Sequence, residues 1–444
     1  MVLTDDISAG RDAQGIGLAD SCRYSGQSPS SPSPKSGDGF LAVVVGSVQR
    51  RAGTLVATLD NAHRTDGRKG YGAMAKLSAH CLQHVLNIRY ANRFLAELDA
   101  NPKWLALCGL NQAPSESAYS RFKKLLSAHQ NDIDEIYAEV VVEVGTELGR
   151  LQAAGIVPAD APVLGKYVAM DSTDVEAYGN PRRHRPADSD ATWGYRTPKN
   201  KSETSKDVEL FYGYKVHEVA DTYYGLPLGG IVLPANAGDG PQLPKVLAEV
   251  QRLHSWMSIQ YLVADKAYAG LERLKHLVNL GIVPVVAVPR PRKDEDGSRL
   301  FDGIYTADGR PTCLGGKPME YVRTDPEQGH LFRCPGQGCA LKHKMDWSRY
   351  CDSEVWEKPE GRLLRIVGIL PRFTDEWNRI YKMRPAIERY FRSGKHSRLL
   401  DQHQCLEIEK VSLHVKISRL SYLATVLAHL KANDYAKMRR MRVG

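Results

Sequence analysis

The sequence lacks any long apolar run and any signal-peptide pattern. Its longest apolar stretches, residues 40–48 and 282–288, are far shorter than the about 20 residues that a membrane-spanning helix requires. Near the N-terminus, Asp5 and Asp6 stand where a signal peptide carries basic and then apolar residues. We therefore expect no membrane association and no secretion.

Closely and regularly spaced cysteines are also missing. The eight cysteines are scattered along the chain and do not form the framework of a disulfide-rich secreted domain. This distribution favours reduced thiols in a cytoplasmic protein.

An excess of one charge sign is present but modest. The chain has 60 Lys and Arg residues against 51 Asp and Glu residues, which gives a net charge of +9. A basic balance favours a polyanionic partner, although here the excess is spread over the whole chain. With 444 residues, the chain is long enough for two or three domains.

Residues 1–73 are predicted to be a disordered N-terminal extension. Residues 25–39 are rich in Ser, Pro and Gly, and they offer too little apolar surface to offset the entropy of ordering. No function is assigned to this segment.

Residues 74–151 are predicted to form a helical DNA-binding domain, because their apolar residues recur at helical spacing. Within this domain, a turn with Gly109 and Pro114 separates a short helix from a helix that carries cations off its apolar stripe. These candidate DNA-binding cations are Arg121, Lys123 and Lys124. The pattern is typical of a helix-turn-helix module. The alternative is a small helical bundle with a solvated basic face.

Residues 165–290 alternate strand and helix patterns. The predicted strands cover residues 166–170, 211–219, 226–234, 260–264 and 282–288. Three antiparallel strands followed by strand–helix–strand units predict an α/β fold, with a mixed sheet flanked by helices. Asp171 and Asp265 each follow directly after a predicted strand, so adjacent strands would bring both carboxylates to one crevice.

Residues 291–372 are predicted to be an inserted subdomain rich in strands and loops. Its cysteines and histidines offer an alternative zinc site, formed from Cys313, Cys334, Cys339, Cys351, His330 and His343. Because four residues separate Cys334 from Cys339, the tight C-x2-C knuckle of zinc sites is missing, and reduced loop cysteines are preferred. Trp347 or Trp356 could stack on an unpaired base, although a core tryptophan is commoner.

Residues 373–432 are predicted to complete the core, with a basic tail over 433–444. The stretch YKMRPAIERYFRSGK reads as Y-x2-R-x3-E-x6-K, with Tyr381, Arg384, Glu388 and Lys395 on one helical stripe if the helix is continuous. However, Pro385 favours a helix that begins there, which would leave Tyr381 and Arg384 on a preceding turn. Gly394 also weakens the helix on the path to Lys395.

Two aspartates and one glutamate are hard oxygen donors, which suit Mg²⁺ or Mn²⁺. Two such ions can activate a nucleophile and stabilise the leaving oxygen of a phosphoryl transfer. The candidate ligands are Asp171, Asp265 and Glu388. Asp174 is an alternative to Asp171, but strand alternation puts it on the other face of the sheet.

The blocks VAMDST, VADKAY and Y-x2-R-x3-E-x6-K resemble the catalytic blocks of bacterial insertion-sequence transposases of the DDE type. The strand hairpin over residues 213–239 and the helical block from about residue 74 are similar to further parts of that family. The resemblance implies an RNase H-like core in which Asp171, Asp265 and Glu388 bind the two divalent ions. It also implies that Tyr381, Arg384 and Lys395 support the glutamate helix and contact DNA.

By the same resemblance, the reaction is DNA cleavage and strand transfer at insertion-sequence ends. The partners are then terminal-repeat and target DNA, bound by a homodimer in the bacterial cytoplasm and associated with the nucleoid. Two alternatives stay open: a non-catalytic DNA-binding protein derived from a transposase, and a nuclease of the same fold that lacks strand transfer.

Overall fold

Helices dominate the N-terminal third of the chain. The computed structural model describes residues 37–62, 70–179, 188–196, 208–288, 305–336 and 354–441. Within these ranges, the helices that precede the first strand are α1 (Gly37–Gln49), α2 (Gly53–Ala62), α3 (Ala73–Val85), α4 (Ala91–Asp99), α5 (Pro102–Cys108), α6 (Glu116–Ser127) and α7 (Gln130–Ala153).

Helices α1 and α2 correct the prediction that residues 1–73 are disordered. Leu41, Val44, Val45 and Val48 recur at helical spacing and are buried in the main core, where α1 packs against α3. The Ser- and Pro-rich composition that suggested disorder stops short of this apolar stripe. No single helix in the described ranges is long and apolar enough to span a membrane; α1 and α2 together have the composition, but they are bent by 68°.

The α5–α6 connection has the predicted helix–turn–helix elements. Asn101 caps α5 through its side chain, and Gly109 ends that helix in the left-handed region with φ at 71°. Ser115 then caps α6 by accepting a hydrogen bond from the backbone N–H of Ala118. DNA binding by this module stays a prediction.

The central sheet confirms the predicted α/β class. Its strands are β1 (Tyr167–Glu176), β2 (Thr192–Arg196), β3 (Glu209–Asp221), β4 (Pro227–Pro234), β5 (Tyr261–Ala264) and β6 (Val283–Val286). The strand order is β2-β3-β1-β5-β6, and β4 also pairs with β3. Strands β1 to β4 pair in antiparallel fashion, whereas β1, β5 and β6 are parallel. The short edge strand β2 was not predicted from the sequence.

The remaining helices of the core are α8 (Leu243–Leu253), α9 (Leu271–Asn279), α10 (Arg362–Ile366), α11 (Asp375–Tyr381), α12 (Pro385–Ser397) and α13 (Ile408–Lys431). Helix α12 packs on β1 and β3, while α13 lies between β4 and the N-terminal helices. Helix α13 is buried almost all round, including its polar residues Ser418 and Arg419, because partners cover it on both sides.

The predicted insertion contains a separate antiparallel sheet of β7 (Glu320–Asp325), β8 (Gly329–Arg333) and β9 (Glu354–Glu357). Its small core includes Met319 and Phe332. Cys313 is a free thiol, Cys334 is buried, and both ring nitrogens of His330 make protein hydrogen bonds. The other predicted zinc ligands, Cys339, Cys351 and His343, lie outside the described residues, as does Trp347. Trp356 lies on β9 under the guanidinium of Arg323.

Candidate active site

Asp171 lies within β1 and not after its end, which corrects the prediction. The strand continues to Glu176 because the long strand β3 still offers it a partner after β5 has ended. Parallel pairing of β1 with β5 ends at Ala169 and Val263, so Asp171 and Asp265 are each two residues beyond the same register pair. Since neighbouring strands lie about 5 Å apart and alternation is shared, the two aspartates are side by side on one face of the sheet.

Asp265 is held in place by the turn that follows β5. Its Oδ1 accepts a hydrogen bond of 2.8 Å from the backbone N–H of Ala267, which caps a short 3₁₀ turn over Lys266–Tyr268. Tyr268 is buried beneath the site, and burial raises its pKa well above the usual value. The negative charges of Asp171, Asp239 and Asp265 raise that pKa further, so these three carboxylates surround one phenol.

Glu388 lies in the first turn of α12. This helix begins at Pro385, as predicted by the alternative to a continuous helical stripe. The continuous stripe is therefore wrong for Tyr381, which ends α11, and for Arg384, which precedes the proline. The helix does continue through Gly394 to Ser397. A Cβ atom at Gly394 would lie 3.1 Å from Leu400, so glycine allows the following loop to pack closely there.

The guanidinium of Arg384 joins two of the three predicted ligands. Its Nη1 donates to Asp171 Oδ2 at 3.3 Å, and its Nη2 donates to Glu388 Oε1. Burial raises the pKa of Asp171 to about 6, and the charges of Asp265 and Glu388 also raise this pKa. Asp171 and Glu388 thus share one cation, with the charge of Asp265 close to Asp171.

Tyr381 and Lys395 take different positions around this centre. Tyr381 stacks on Trp377, with ring centroids 4.6 Å apart, and burial raises its pKa. Arg384 and the three carboxylates also influence the pKa of Tyr381, which places the phenol beside them. Lys395 lies farther along α12, where its Nζ donates to the backbone oxygen of Asp174 at 2.6 Å.

Asp174 itself belongs to the opposite face of the sheet. It is paired with Lys215 across β1 and β3, whereas Asp171 is paired with Glu218 three residues away. Because side chains alternate along a strand, an odd separation puts the two aspartates on opposite faces.

Asp239 is a member of this region that the sequence reasoning missed. Its Oδ1 accepts hydrogen bonds from Ser172 Oγ at 2.8 Å and from Lys215 Nζ at 3.1 Å. His217 is buried beside it, 3.9 Å away. Asp239 lies in the loop after the β3–β4 hairpin, so an acidic residue at the end of that hairpin was the available signal.

The donor set fits a hard divalent ion by its chemistry, since three carboxylates supply oxygen ligands. Across the described ranges, no group of three acidic, histidine or cysteine side chains is close enough to hold an ion. Arg384 instead contacts Asp171 and Glu388. In this conformation the internal cation therefore bridges Asp171 and Glu388, while Asp265 lies on the neighbouring strand end.

The predicted DNA-contacting cations of α6 lie elsewhere. Arg121, Lys123 and Lys124 line a cleft between α6 and the segment that follows α12, and no ligand candidate contributes to its lining. Arg121 and Lys124 are exposed, while Lys123 is half-buried.

Comparisons with known protein families agree with the geometry of both regions. The family model described as "Transposase DDE domain" matches residues 165–424, and that described as "Transposase domain (DUF772)" matches residues 40–125, starting inside α1. A search of curated proteins found no match. Since the first match covers more than half of the chain, we conclude that this chain belongs to the transposase DDE-domain family and that its mixed sheet has the RNase H-like fold.

Proposed function

We propose that this protein is a DDE-type transposase that cleaves DNA at insertion-sequence ends and transfers the strands to target DNA. The observation that carries the proposal is the Arg384 guanidinium, which contacts carboxylates from two distant segments, Asp171 on β1 and Glu388 on α12. The third carboxylate, Asp265, is in register with Asp171 on the neighbouring strand. A protein that only binds DNA has no use for three carboxylates gathered beside a basic helix.

Transposases of this family generally use divalent metal ions. We assign Mg²⁺ or Mn²⁺, with two ions, to Asp171, Asp265 and Glu388. When bound, such ions supply Lewis-acid activation of the attacking oxygen and stabilisation of the leaving one. The role of the chain itself is to hold the carboxylates on a strand, a capped turn and a helix start.

Arg384 then has two alternative partners. Without DNA it neutralises Asp171 and Glu388, and with DNA its planar guanidinium can bind a phosphate in a bidentate manner. Transfer of Arg384 to the DNA would free both carboxylates for metal ions. We assign two further residues at this end of the sheet to supporting the glutamate helix and contacting DNA. They are Tyr381, which lies next to the carboxylates, and Lys395, which lies farther along α12.

The partners follow from this assignment. Double-stranded DNA from the element ends and from the target would bind across the carboxylate site and the α5–α6 module. The family implies DNA binding, and we propose a homodimer that pairs two ends in the nucleoid of a bacterial cytoplasm.

The test is Glu388→Gln, assayed on labelled duplexes that carry the ends of the element encoding the chain. We expect cleavage in Mg²⁺ to disappear while the affinity for the ends stays within about twofold, because one neutral amide replaces a ligand without removing a phosphate contact. Glu272→Gln, an exposed glutamate on α9 with 82% of its side chain accessible, is the matched control.

Three results discriminate between the candidates. Loss of end binding in Glu388→Gln would assign the glutamate a structural role and contradict the proposal. Wild-type protein that binds but never cleaves would indicate the non-catalytic binder. Cleavage without joining to a supercoiled target plasmid would indicate a nuclease.

A further inference from the structure

A basic cleft separates α6 from the segment 399–414, and none of Asp171, Asp265 and Glu388 lines it. It has a volume of about 380 Å³, which falls within the range of small-ligand sites. The charged residues in its lining, taken from the described part of the chain, are Arg89, Arg121, Lys123, Lys124, Lys410 and Glu407. Five cations thus face one carboxylate, and that carboxylate is already paired with Lys410 at 2.8 Å.

Lys123 is the cleft lysine whose charge is shielded from water by burial. It is half-buried, with its ammonium 5.1 Å from the ring centroid of Tyr119, and burial lowers its pKa. Among the residues that the structure describes, no carboxylate lies within ion-pairing distance of its Nζ. An ammonium withdrawn from water without a counter-ion is unfavourable, and an incoming anion would relieve that penalty.

Uncharged histidines form the inner wall of the cleft. His80, His84 and His414 all have a pKa lowered well below the usual value, first of all by burial. Each ring also makes a hydrogen bond to the protein, to Tyr119 Oη, Arg398 O and Leu399 O respectively. His80 and His84 are buried, and the three rings pack against one another, so the inner wall is an uncharged backing behind the cations.

The segment that forms the outer wall is linked to two of the three elements that carry the catalytic candidates. Gln402 donates to the backbone oxygen of Lys395 on α12 at 3.2 Å, and His403 bonds the backbone oxygen of Glu176 at the end of β1 at 2.9 Å. Two non-glycine residues of this wall, Leu399 and Glu407, have positive φ values of 59° and 73°. Strained backbone of this kind persists where surrounding contacts enforce it.

We propose that this cleft binds the phosphate of a nucleotide on Lys123 and Lys410. Lysine ammonium groups are point charges suited to phosphate, and the exposed guanidinium groups of Arg89 and Arg121 at the rim favour a polyanion. The phosphate belongs either to a DNA strand or to a free nucleotide. The cleft is a second site, independent of the carboxylates, so binding here and cleavage there are measured separately.

Binding is tested on the full chain by calorimetry with four probes. These are inorganic phosphate, a deoxynucleoside 5′-monophosphate, a short 5′-phosphorylated single strand, and the same strand without its 5′-phosphate. Lys123→Met is expected to weaken binding of the phosphorylated probes about tenfold or more, because a charge-assisted contact is lost. Lys245→Met, at an exposed lysine of α8, is the matched control and keeps wild-type affinity.

A site-specific measurement complements the affinities. Acetylation of lysines followed by peptide mass spectrometry reports Lys123 directly, and the phosphorylated probe should protect Lys123 at least threefold while Lys245 stays equally reactive. Lys123→Arg retains the charge and is expected to bind within a few-fold of wild type, which separates charge from folding. If Lys123→Met does not fold, protection in the wild-type protein decides the question.

The outcomes divide as follows. Binding of the mononucleotide as tightly as the strand assigns the cleft to a free nucleotide, whereas binding of the strand alone assigns it to DNA. Equal affinity of Lys123→Met and the control, or unprotected Lys123 at saturating probe, would overturn the proposal. Because Glu388→Gln leaves this cleft intact, loss of cleavage in that variant has no bearing on the result.

Discussion

Removal of the Arg384 guanidinium is predicted to strengthen divalent-ion binding to the DNA-free protein. Arg384→Gln deletes one contact with Asp171, at 3.3 Å, and one with Glu388. The side chains of Arg384 and Asp171 are 23% exposed and that of Glu388 is 50% exposed, so solvent screens both contacts. At about 0.5–1 kcal/mol for each contact, the released carboxylates should bind Mn²⁺ roughly tenfold more tightly.

The measurement is a titration of the DNA-free protein with Mn²⁺, followed by the electron paramagnetic resonance signal of the unbound ion. Arg392→Gln is the matched control, since it removes an exposed arginine from the same helix. Unchanged or weaker Mn²⁺ affinity in Arg384→Gln would show that the guanidinium does not compete with the ion. The assignment of Asp171 and Glu388 as ligands would then lose its main support.

Three further predictions concern residues around the sheet. Asp239→Asn removes the charge that accepts the hydrogen bond from Ser172, and it should reduce the cleavage rate about tenfold or more at unchanged DNA affinity. Single-turnover rates and end-binding titrations measure the two quantities. An unchanged rate would show that Asp239 does not contribute to the site. Arg419→Met leaves the buried carboxylate of Glu218 without its partner at 3.5 Å, so urea unfolding should show a loss of about 3 kcal/mol or more; full stability would contradict this reasoning. Burial lowers the pKa of His80 well below 6.5. Below pH 6.5 the unfolded chain therefore binds a proton at this residue that the folded chain does not, so the free energy of unfolding decreases as the pH falls. His80→Gln should therefore reduce the slope of unfolding free energy against pH by up to about 1.4 kcal/mol per unit in that window, and an unchanged slope would mean that His80 is protonated in the folded protein.

Local patterns were enough to predict five of the six strands of the central sheet and to expect Asp171 and Asp265 side by side. Short continuous apolar runs define the start of β1 and β5, and adjacency of those strands then brings Asp171 and Asp265 together. The same local reading failed at β1's end, because the length of a strand depends on its partner. Strand β3 continues past β5, so Asp171 lies inside a strand that the sequence alone ended at Met170, six residues before its end at Glu176.

Features that depend on contacts between distant segments could not be predicted from the sequence. The spacing of α6 predicted that Lys123 lies off the apolar stripe, and it does, but the residues that half-bury it come from segment 399–414. Likewise, α1 was assigned to a disordered extension because its partners, α3 and α13, follow much later in the chain. Composition measures whether a segment can pack, and it contains no information on what that segment packs against.

The break in the Y-x2-R-x3-E-x6-K stretch shows how a motif can retain its chemistry without the geometry first inferred for it. On one straight helix, Tyr381 and Arg384 would continue the stripe of Glu388. Instead α11 ends at Tyr381 and α12 begins at Pro385, so Arg384 lies at the junction. From there its guanidinium contacts both Glu388, one turn ahead, and Asp171 on the sheet. Proline after this arginine therefore positions the cation between strand and helix, which is the position that the proposed exchange between carboxylates and DNA phosphate requires.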